Sequence, residues 1–230
     1  MAIHERPDLH LTLKFVIKYP TRGRPAQFIR QMQTYRSMLS RKHPVRFVIS
    51  IDEDDRFMKS KEMDNYLRRQ NDCQVFVGQS KGKIEAVNAD FDELGNYDVL
   101  ILASDDMIPT TRHYDVVIAD LMKQQFPAMD GCLHFRDGLN AHGLNTMPIA
   151  GKRLIDKQGY IYQPDYISEW CDNEWQDVTE RDGKSFKSEK ILFSHEWIAK
   201  TGQDATFKRN SGFYSIDKLT YERRRAAGFP

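Results

Sequence analysis

Residues 97–103 (YDVLILA) are the most apolar run of the chain, and they stop abruptly at Ser104-Asp105-Asp106. A short aliphatic run of this kind reads as a strand buried on both faces. Such a strand requires neighbours beside it and helices above and below it. The upstream sequence supplies both. Residues 11–19 (LTLKFVIKY) read as a strand ending at Pro20. Thr21-Arg22-Gly23-Arg24-Pro25 reads as a turn with Pro25 at a helix start. Residues 27–39 then carry Phe28, Met32, Tyr35 and Leu39 at helical spacing. Residues 45–51 (VRFVISI) form the next predicted strand, closed by Asp52-Glu53-Asp54-Asp55. A helix over 59–69, a strand over 74–77, and a helix over 84–94 entered from Lys81-Gly82-Lys83 complete the first half. Strands alternating with helices predict an α/β fold: a mixed, mostly parallel central sheet flanked by helices, in a single domain.

The second half is less regular. Residues 111–125 read as a helix, 128–135 and 147–155 as strands, 160–175 as an aromatic and acidic stretch, and 215–227 as a basic helix. Within one domain, 1–110 is expected to be the ligand-binding half, and 111–230 the half that completes the site.

Composition removes several functional classes. With 34 Lys plus Arg against 33 Asp plus Glu, the net charge is +1, which argues against holding nucleic acid by bulk charge. The 40% hydrophobic and 29% charged content suits a folded domain. No apolar run approaches the roughly 18–20 residues of a membrane span. The first eight residues are polar and lack a signal-peptide core. Cys73, Cys132 and Cys171 are far apart with no CxxC spacing, which argues against a disulfide framework and a thiolate zinc site. These features lead us to expect a cytoplasmic protein.

In open α/β sheets, ligands bind beyond the carboxyl ends of the strands. The predicted strands end in Thr21-Arg22-Gly23-Arg24, Asp52-Glu53-Asp54-Asp55, Lys81-Gly82-Lys83 and Ser104-Asp105-Asp106. If the strands are parallel, these clusters meet on one rim. Carboxylates beside arginine and lysine suit a phosphorylated ligand carried on a hard divalent cation. The plain alternative is that strand-to-helix loops are polar and that their acids cap helices. Adjacent Asp105 and Asp106 would repel each other without a cation, which makes them the leading metal ligands.

These motifs resemble the nucleotide-sugar glycosyltransferases of the GT-A fold, family 2-like in the first half. The resemblance rests on the strand-Pro20-Thr21-Arg22-Gly23-Arg24-Pro25 opening, the strand ending at Asp52, Lys83-x-x-x-x-Asn88, and the DxD-like Ala103-Ser104-Asp105-Asp106. It implies that Thr21, Arg22 and Arg24 line the nucleotide pocket with Ser104, and that Asp52 hydrogen-bonds the base. It places Lys83 and Asn88 near the pyrophosphate and ribose. It gives Asp105 and Asp106 to an Mn²⁺ or Mg²⁺ ion bridging the diphosphate of a donor, most simply a UDP-sugar. Ala103 departs from the pattern by standing where the first Asp of DxD belongs.

In the second half, Glu169-Trp170-Cys171-Asp172-Asn173-Glu174-Trp175 resembles the acceptor-side acidic motif. It implies Asp172 as catalytic base of an inverting transfer, with Glu174 and Glu169 behind it. The alternative is an amphipathic helix with core tryptophans and solvated acids. Ser194-His195-Glu196-Trp197, followed by Gly202-Gln203-Asp204, resembles the late histidine that joins the metal. Arg223-Arg224-Arg225, with Lys208 and Arg209 upstream, would reach a phosphate-bearing acceptor or lipid headgroup, or simply form a solvated face.

The acceptor implied is a glycan, a protein or a modified DNA base. Compact enzymes of this family in bacteriophages act on hydroxymethylated DNA bases, which would place the chain in the host cytoplasm. Two other functions fit part of the pattern. A nucleotidyltransferase would open with a glycine-rich phosphate loop, and Thr21-Arg22-Gly23-Arg24 has too few glycines. A non-catalytic nucleotide- or sugar-binding module would keep the rim without needing a base.

Overall fold

The computed structural model describes residues 12–138, 143–196 and 204–230. The elements run β1 (Phe15–Thr21), α1 (Pro25–Ser37), β2 (Val45–Asp52), α2 (Lys61–Arg68), β3 (Cys73–Gly78), α3 (Lys83–Asn88), a 3₁₀ turn at Phe91–Leu94, β4 (Val99–Leu102) and β5 (Met107–Pro109). They continue with α4 (Tyr114–Gln125), β6 (Cys132–Phe135), β7 (Ile149–Gly151), α5 (Lys152–Gln158), α6 (Cys171–Arg181), β8 (Ser185–Ser188), β9 (Phe193–His195), α7 (Ala205–Ser211) and α8 (Tyr214–Ala226).

Seven strands form one sheet in the order β3-β2-β1-β4-β7-β6-β8. The pairs β3/β2, β2/β1, β1/β4 and β6/β8 are parallel, and β7 runs antiparallel to both β4 and β6. This is the mostly parallel sheet expected. Chain order reverses between β1 and β4, so a crevice opens at their carboxyl ends. A separate two-stranded sheet pairs β5 with β9, Met107 opposite His195.

Alternation along β1 explains the two cores. Phe15, Ile17 and Tyr19 pack with Phe28, Met32 and Tyr35 of α1 and Tyr114, Ile118 and Met122 of α4 on one face. Val16 packs on the other face with Ile84 and Val87 of α3, Ile155 of α5 and Trp175 of α6. α1 starts at Pro25, whose missing N–H costs nothing there.

Several local readings need correction. β1 runs through Pro20 to Thr21 instead of ending at Pro20. Pairing with β4 stops at Lys18, so the prolyl nitrogen lies where β1 keeps only β2 as neighbour. Residue 11 of that predicted strand lies outside the described residues. The predicted strand 147–155 is a three-residue strand followed by α5, because Gly151 ends β7 in extended backbone and the next apolar pair, Leu154 and Ile155, recurs at helical spacing. The predicted helix 84–94 breaks after Asn88, where Asp90 takes a left-handed φ of 58°.

That break serves a buried cation. Lys18 points from β1 into the second core, fully buried, and donates to Ser50 Oγ at 2.5 Å and to the Ala89 carbonyl, with Asp90 3.7 Å away. Burial pushes its ammonium down to about 8, against the pull of Asp90. The unfolded chain therefore holds a proton that the folded one has shed between pH 8 and the ordinary lysine value, and stability rises with pH there by up to about 1.4 kcal/mol per unit. Below pH 8 the full penalty is present. Urea unfolding at pH 8, 9 and 10 should show this rise, and Lys18→Met should flatten it; equal slopes in both proteins would refute it.

Candidate active site

Four loops converge at the crevice. Thr21 ends β1, Asp52 ends β2, Gly82 and Lys83 open α3, and Ser104, Asp105 and Asp106 follow β4. All of them line one cavity of about 650 Å³, a size suited to a nucleotide-sized ligand. Arg22 and Arg24 line it from the β1–α1 loop. Tyr162, Glu169 and Asp172 line it next to the start of α3, and Asp137, Thr146, His195 and Glu196 also line it.

The aspartate pair divides by depth. Asp105 is 5% exposed and accepts from Tyr19 Oη at 3.1 Å and Thr21 Oγ1 at 3.3 Å, with Arg24 Nη1 4.0 Å away. Burial pushes its carboxyl up to about 7 despite Arg24. Asp106 stands further into the opening. Ser104 Oγ donates to it at 2.6 Å, and His195 Nε2 is 3.6 Å away. Burial would raise its carboxyl, but His195, Ser104 and the charge of Lys83 hold it well below the usual carboxylate range. His195 is in turn raised by Asp106 and Asp137 against the effect of burial, with Asp137 3.5 Å from its Nδ1. The β5–β9 ribbon makes this contact: Met107 pairs with His195, and Glu196 N donates to Asp106 O at 2.7 Å. Of the rest of the late motif, Trp197, Gly202 and Gln203 lie outside the described residues.

Among the described residues, no three His, Cys, Asp or Glu side chains are gathered closely enough to hold a metal ion by themselves. The donor set still fits one. Asp106 oxygen and His195 nitrogen, with Asp105 behind, suit Mn²⁺ coordination completed by a ligand's own oxygens and water.

The arginines brace the β1 and β2 exits. Arg22 Nη1 lies 2.5 Å from both Asp52 and Asp54, and Gly23 N donates to Asp55 at 2.6 Å, tying the β1 and β2 exits together. Gly23 has φ +71°, and a Cβ there would meet Thr206 Oγ1 of α7 at 3.3 Å. α7 itself reaches over this side. Asp204, its N-cap, holds Arg24 at 2.5 Å. Arg209 lies 3.5 Å from Asp52 and donates to the Ser80 and Lys81 carbonyls. The sequence does not reveal that Arg209 and Asp204 line this cavity. An Asp three residues before Phe207, whose N–H it caps at 2.7 Å, is a readable helix signal, but nothing local shows where that helix docks.

Lys83 lies in the cavity beside Glu169, Asp172 and Asp106. Burial alone would lower its ammonium, but these acids and the neighbouring Cys171 hold it above the ordinary lysine value. Burial raises both Asp172 and Glu169 in spite of Lys83, so each carboxyl binds a proton more readily than usual.

Two predicted site residues are not part of this cavity. Asn88 donates to the Tyr162 carbonyl at 2.6 Å and accepts from Ile161 N and Tyr162 N, so it pins the segment that carries Tyr162 inward. Glu174, 4% exposed, is clasped by Arg224 Nε and Nη2 at 2.8 and 2.9 Å and by Tyr166 Oη at 2.7 Å. It lies two residues past Asp172, on the core-facing side of α6 with Trp175. The same pairing corrects the basic tail. Arg224 is buried between Glu174 and Asp165, and only its neighbours Arg223 and Arg225 face outward.

No helix among the described residues is long and apolar enough to cross a membrane. The sequence matches no protein-family model and no curated protein. Solved structures do match. The mannosyltransferase PcManGT from Pyrobaculum calidifontis, in complex with GDP-Man and Mn²⁺, superimposes with a TM-score of 0.64 at 10% identity, over 86% of this chain and 61% of that one. S. aureus TarS 1–349 in complex with UDP-GlcNAc gives 0.62 at 11% identity, over 79% of this chain and 58% of that one. The chain thus spans about three-fifths of the length of these structures. A parallel sheet reversing at β1/β4, the carboxylates that follow β4 and these superpositions together establish that the chain has the GT-A fold, the fold of nucleotide-sugar glycosyltransferases.

Proposed function

We propose that the chain is a divalent-metal-dependent glycosyltransferase that moves a sugar from a nucleoside-diphosphate donor to an acceptor hydroxyl with inversion. The observation that carries this reading is the single cavity that holds Asp106 and His195 together with two candidate bases, Asp172 and Glu169, beside Lys83. Arg22, Arg24 and Asp52 would hold the nucleotide, and Thr21 and Ser104 would line its path. Asp106 with His195, and Asp105 behind them, would hold Mn²⁺ or Mg²⁺. The ion would supply positive charge for the departing diphosphate. Lys83 would add a second cation on the acceptor side of that group.

Asp172 would remove the acceptor proton as the acceptor oxygen bonds to the anomeric carbon. The bond from that carbon to the diphosphate oxygen breaks, and the electron pair leaves with the diphosphate. The raised affinity of Asp172 for a proton suits it to this step. The acceptor wall is acidic, with Asp137, Glu169, Asp172 and Glu196. That favours a glycan or protein hydroxyl over the polyanionic backbone around a modified DNA base. PcManGT holds GDP-Man and TarS holds UDP-GlcNAc, so both guanine and uracil donors belong in the test.

The test is a panel of UDP- and GDP-sugars incubated with the protein, with Mn²⁺ or with a chelator, reading release of nucleoside diphosphate. One donor consumed only with metal is expected. Consumption that the chelator leaves unchanged would refute metal dependence. Binding of a donor without any consumption would favour the binding-module reading.

A further inference from the structure

The proposed base does not stand in the cavity by its own helix alone. We infer that Asp217, which lies outside the cavity, is the positioning residue for Glu169 and Asp172: its carboxylate captures the loop that presents both acids. The inference rests on the transfer reading for its consequence on turnover, but its geometry is independent of that reading. Asp217 sits in α8 and is fully buried. Its Oδ1 accepts from Ile167 N at 2.9 Å, and its Oδ2 accepts from Ser168 N at 2.8 Å and Glu169 N at 2.7 Å. A buried carboxylate is stable only with such donors, and those amides need an acceptor just as strongly.

The same loop is fixed from the other side. Ile84 N donates to the Ile167 carbonyl at 3.0 Å, and Gly82 lies so close beneath Ile167 that a Cβ would fall 2.5 Å from its carbonyl oxygen. The loop is thus held between α8 and the start of α3, which carries Lys83. It then turns through Trp170, at a left-handed φ of 63°, directly into α6 and Asp172. α8 braces α6 again through Tyr221 Oη to Asp177 at 2.6 Å. That second contact is made by the hydroxyl alone, so Tyr221→Phe removes it while leaving the Tyr221 ring against Trp170, and it supplies a control.

An asparagine at 217 would keep one acceptor oxygen and turn an NH₂ group toward amide donors. The acids would then lose their fixed approach, and misplacement on the scale of 1 Å costs about 10- to 100-fold in rate. The experiment compares Asp217→Asn with Tyr221→Phe for melting temperature and for metal-dependent hydrolysis of the donor found in the panel. Asp217→Asn should lower kcat about 10- to 100-fold with donor KM within about twofold, while Tyr221→Phe keeps kcat within about twofold. Equal kcat losses at equal loss of melting temperature, or a donor KM rising in step, would overturn the inference. If the wild-type protein hydrolyses no nucleotide sugar, the transfer reading fails by itself, and Asp217 is judged by carboxyl-carbon NMR titration of Glu169 and Asp172. Midpoints that move in Asp217→Asn and stay in Tyr221→Phe support it; midpoints unmoved in both overturn it.

Discussion

Asp106→Ala is expected to lower metal-dependent donor turnover by about 10³-fold or more, since a bound cation contributes several kcal/mol to a developing anionic leaving group. The fold should survive the change. Asp106, Ser104 and His195 are all only partly buried, and His195 keeps Asp137. The melting temperature should therefore stay within a few degrees, which separates lost chemistry from lost structure. Mn²⁺ titration should saturate at a higher concentration or not at all. Wild-type turnover in Asp106→Ala, with unchanged dependence on Mn²⁺, would remove the cation from this end of β4 and the proposed mechanism with it.

Asp172→Asn tests the other wall. The amide has the shape of the carboxyl but accepts no proton, and loss of a positioned general base costs about 10²- to 10⁴-fold. Donor affinity should be kept, because the proposed donor contacts Arg22, Arg24 and Asp52 are braced by one another and by Asp54, Asp204 and Arg209, not by Asp172. The measurement is transfer rate beside donor binding by calorimetry. If Asp172→Asn transfers normally and Glu169→Gln does not, the base is Glu169, which shares the cavity, the nearby Lys83 and a raised carboxyl. A loss of donor affinity in proportion to rate would instead make Asp172 a binding residue.

The polar rim at the ends of β1, β2 and β4 was readable in the sequence because each of its parts is local. An apolar strand followed within a few residues by a polar cluster places that cluster at a sheet edge as soon as the strands are parallel, as Thr21, Asp52 and Ser104-Asp105-Asp106 show. The part of the cavity built by α6 and the β5–β9 ribbon depends on pairs that no window sees. Glu174 and Asp172 look equivalent in the motif, yet a helix turns two residues by about 200°, so one faces the core while the other faces the cavity. What commits Glu174 is Arg224, fifty positions away, and Arg224 is indistinguishable in sequence from its two neighbours. Asn88 misled for a similar reason. The spacing from Lys83 matched the pattern, but its amide is consumed by the backbone of 161 and 162. His195 was legible only as a resemblance, since its place depends on a ribbon joining β5 to β9 across 86 residues. Asp217 carried no signal, because an aspartate inside a basic, amphipathic helix reads as solvated.

The reversed direction of β7 has a consequence for how such a chain diversifies. Because β7 runs against β4 and β6 runs with it, the exit of β6 at Asp137 and the approach to β7 at Thr146 arrive at the same edge as the ends of β1 and β4. The two described ends of this connection therefore border the cavity without sharing a residue with β1, β2 or β4. Under the proposed transfer, exchanging that connection would change which acceptor enters while leaving the ends of β1, β2 and β4 untouched.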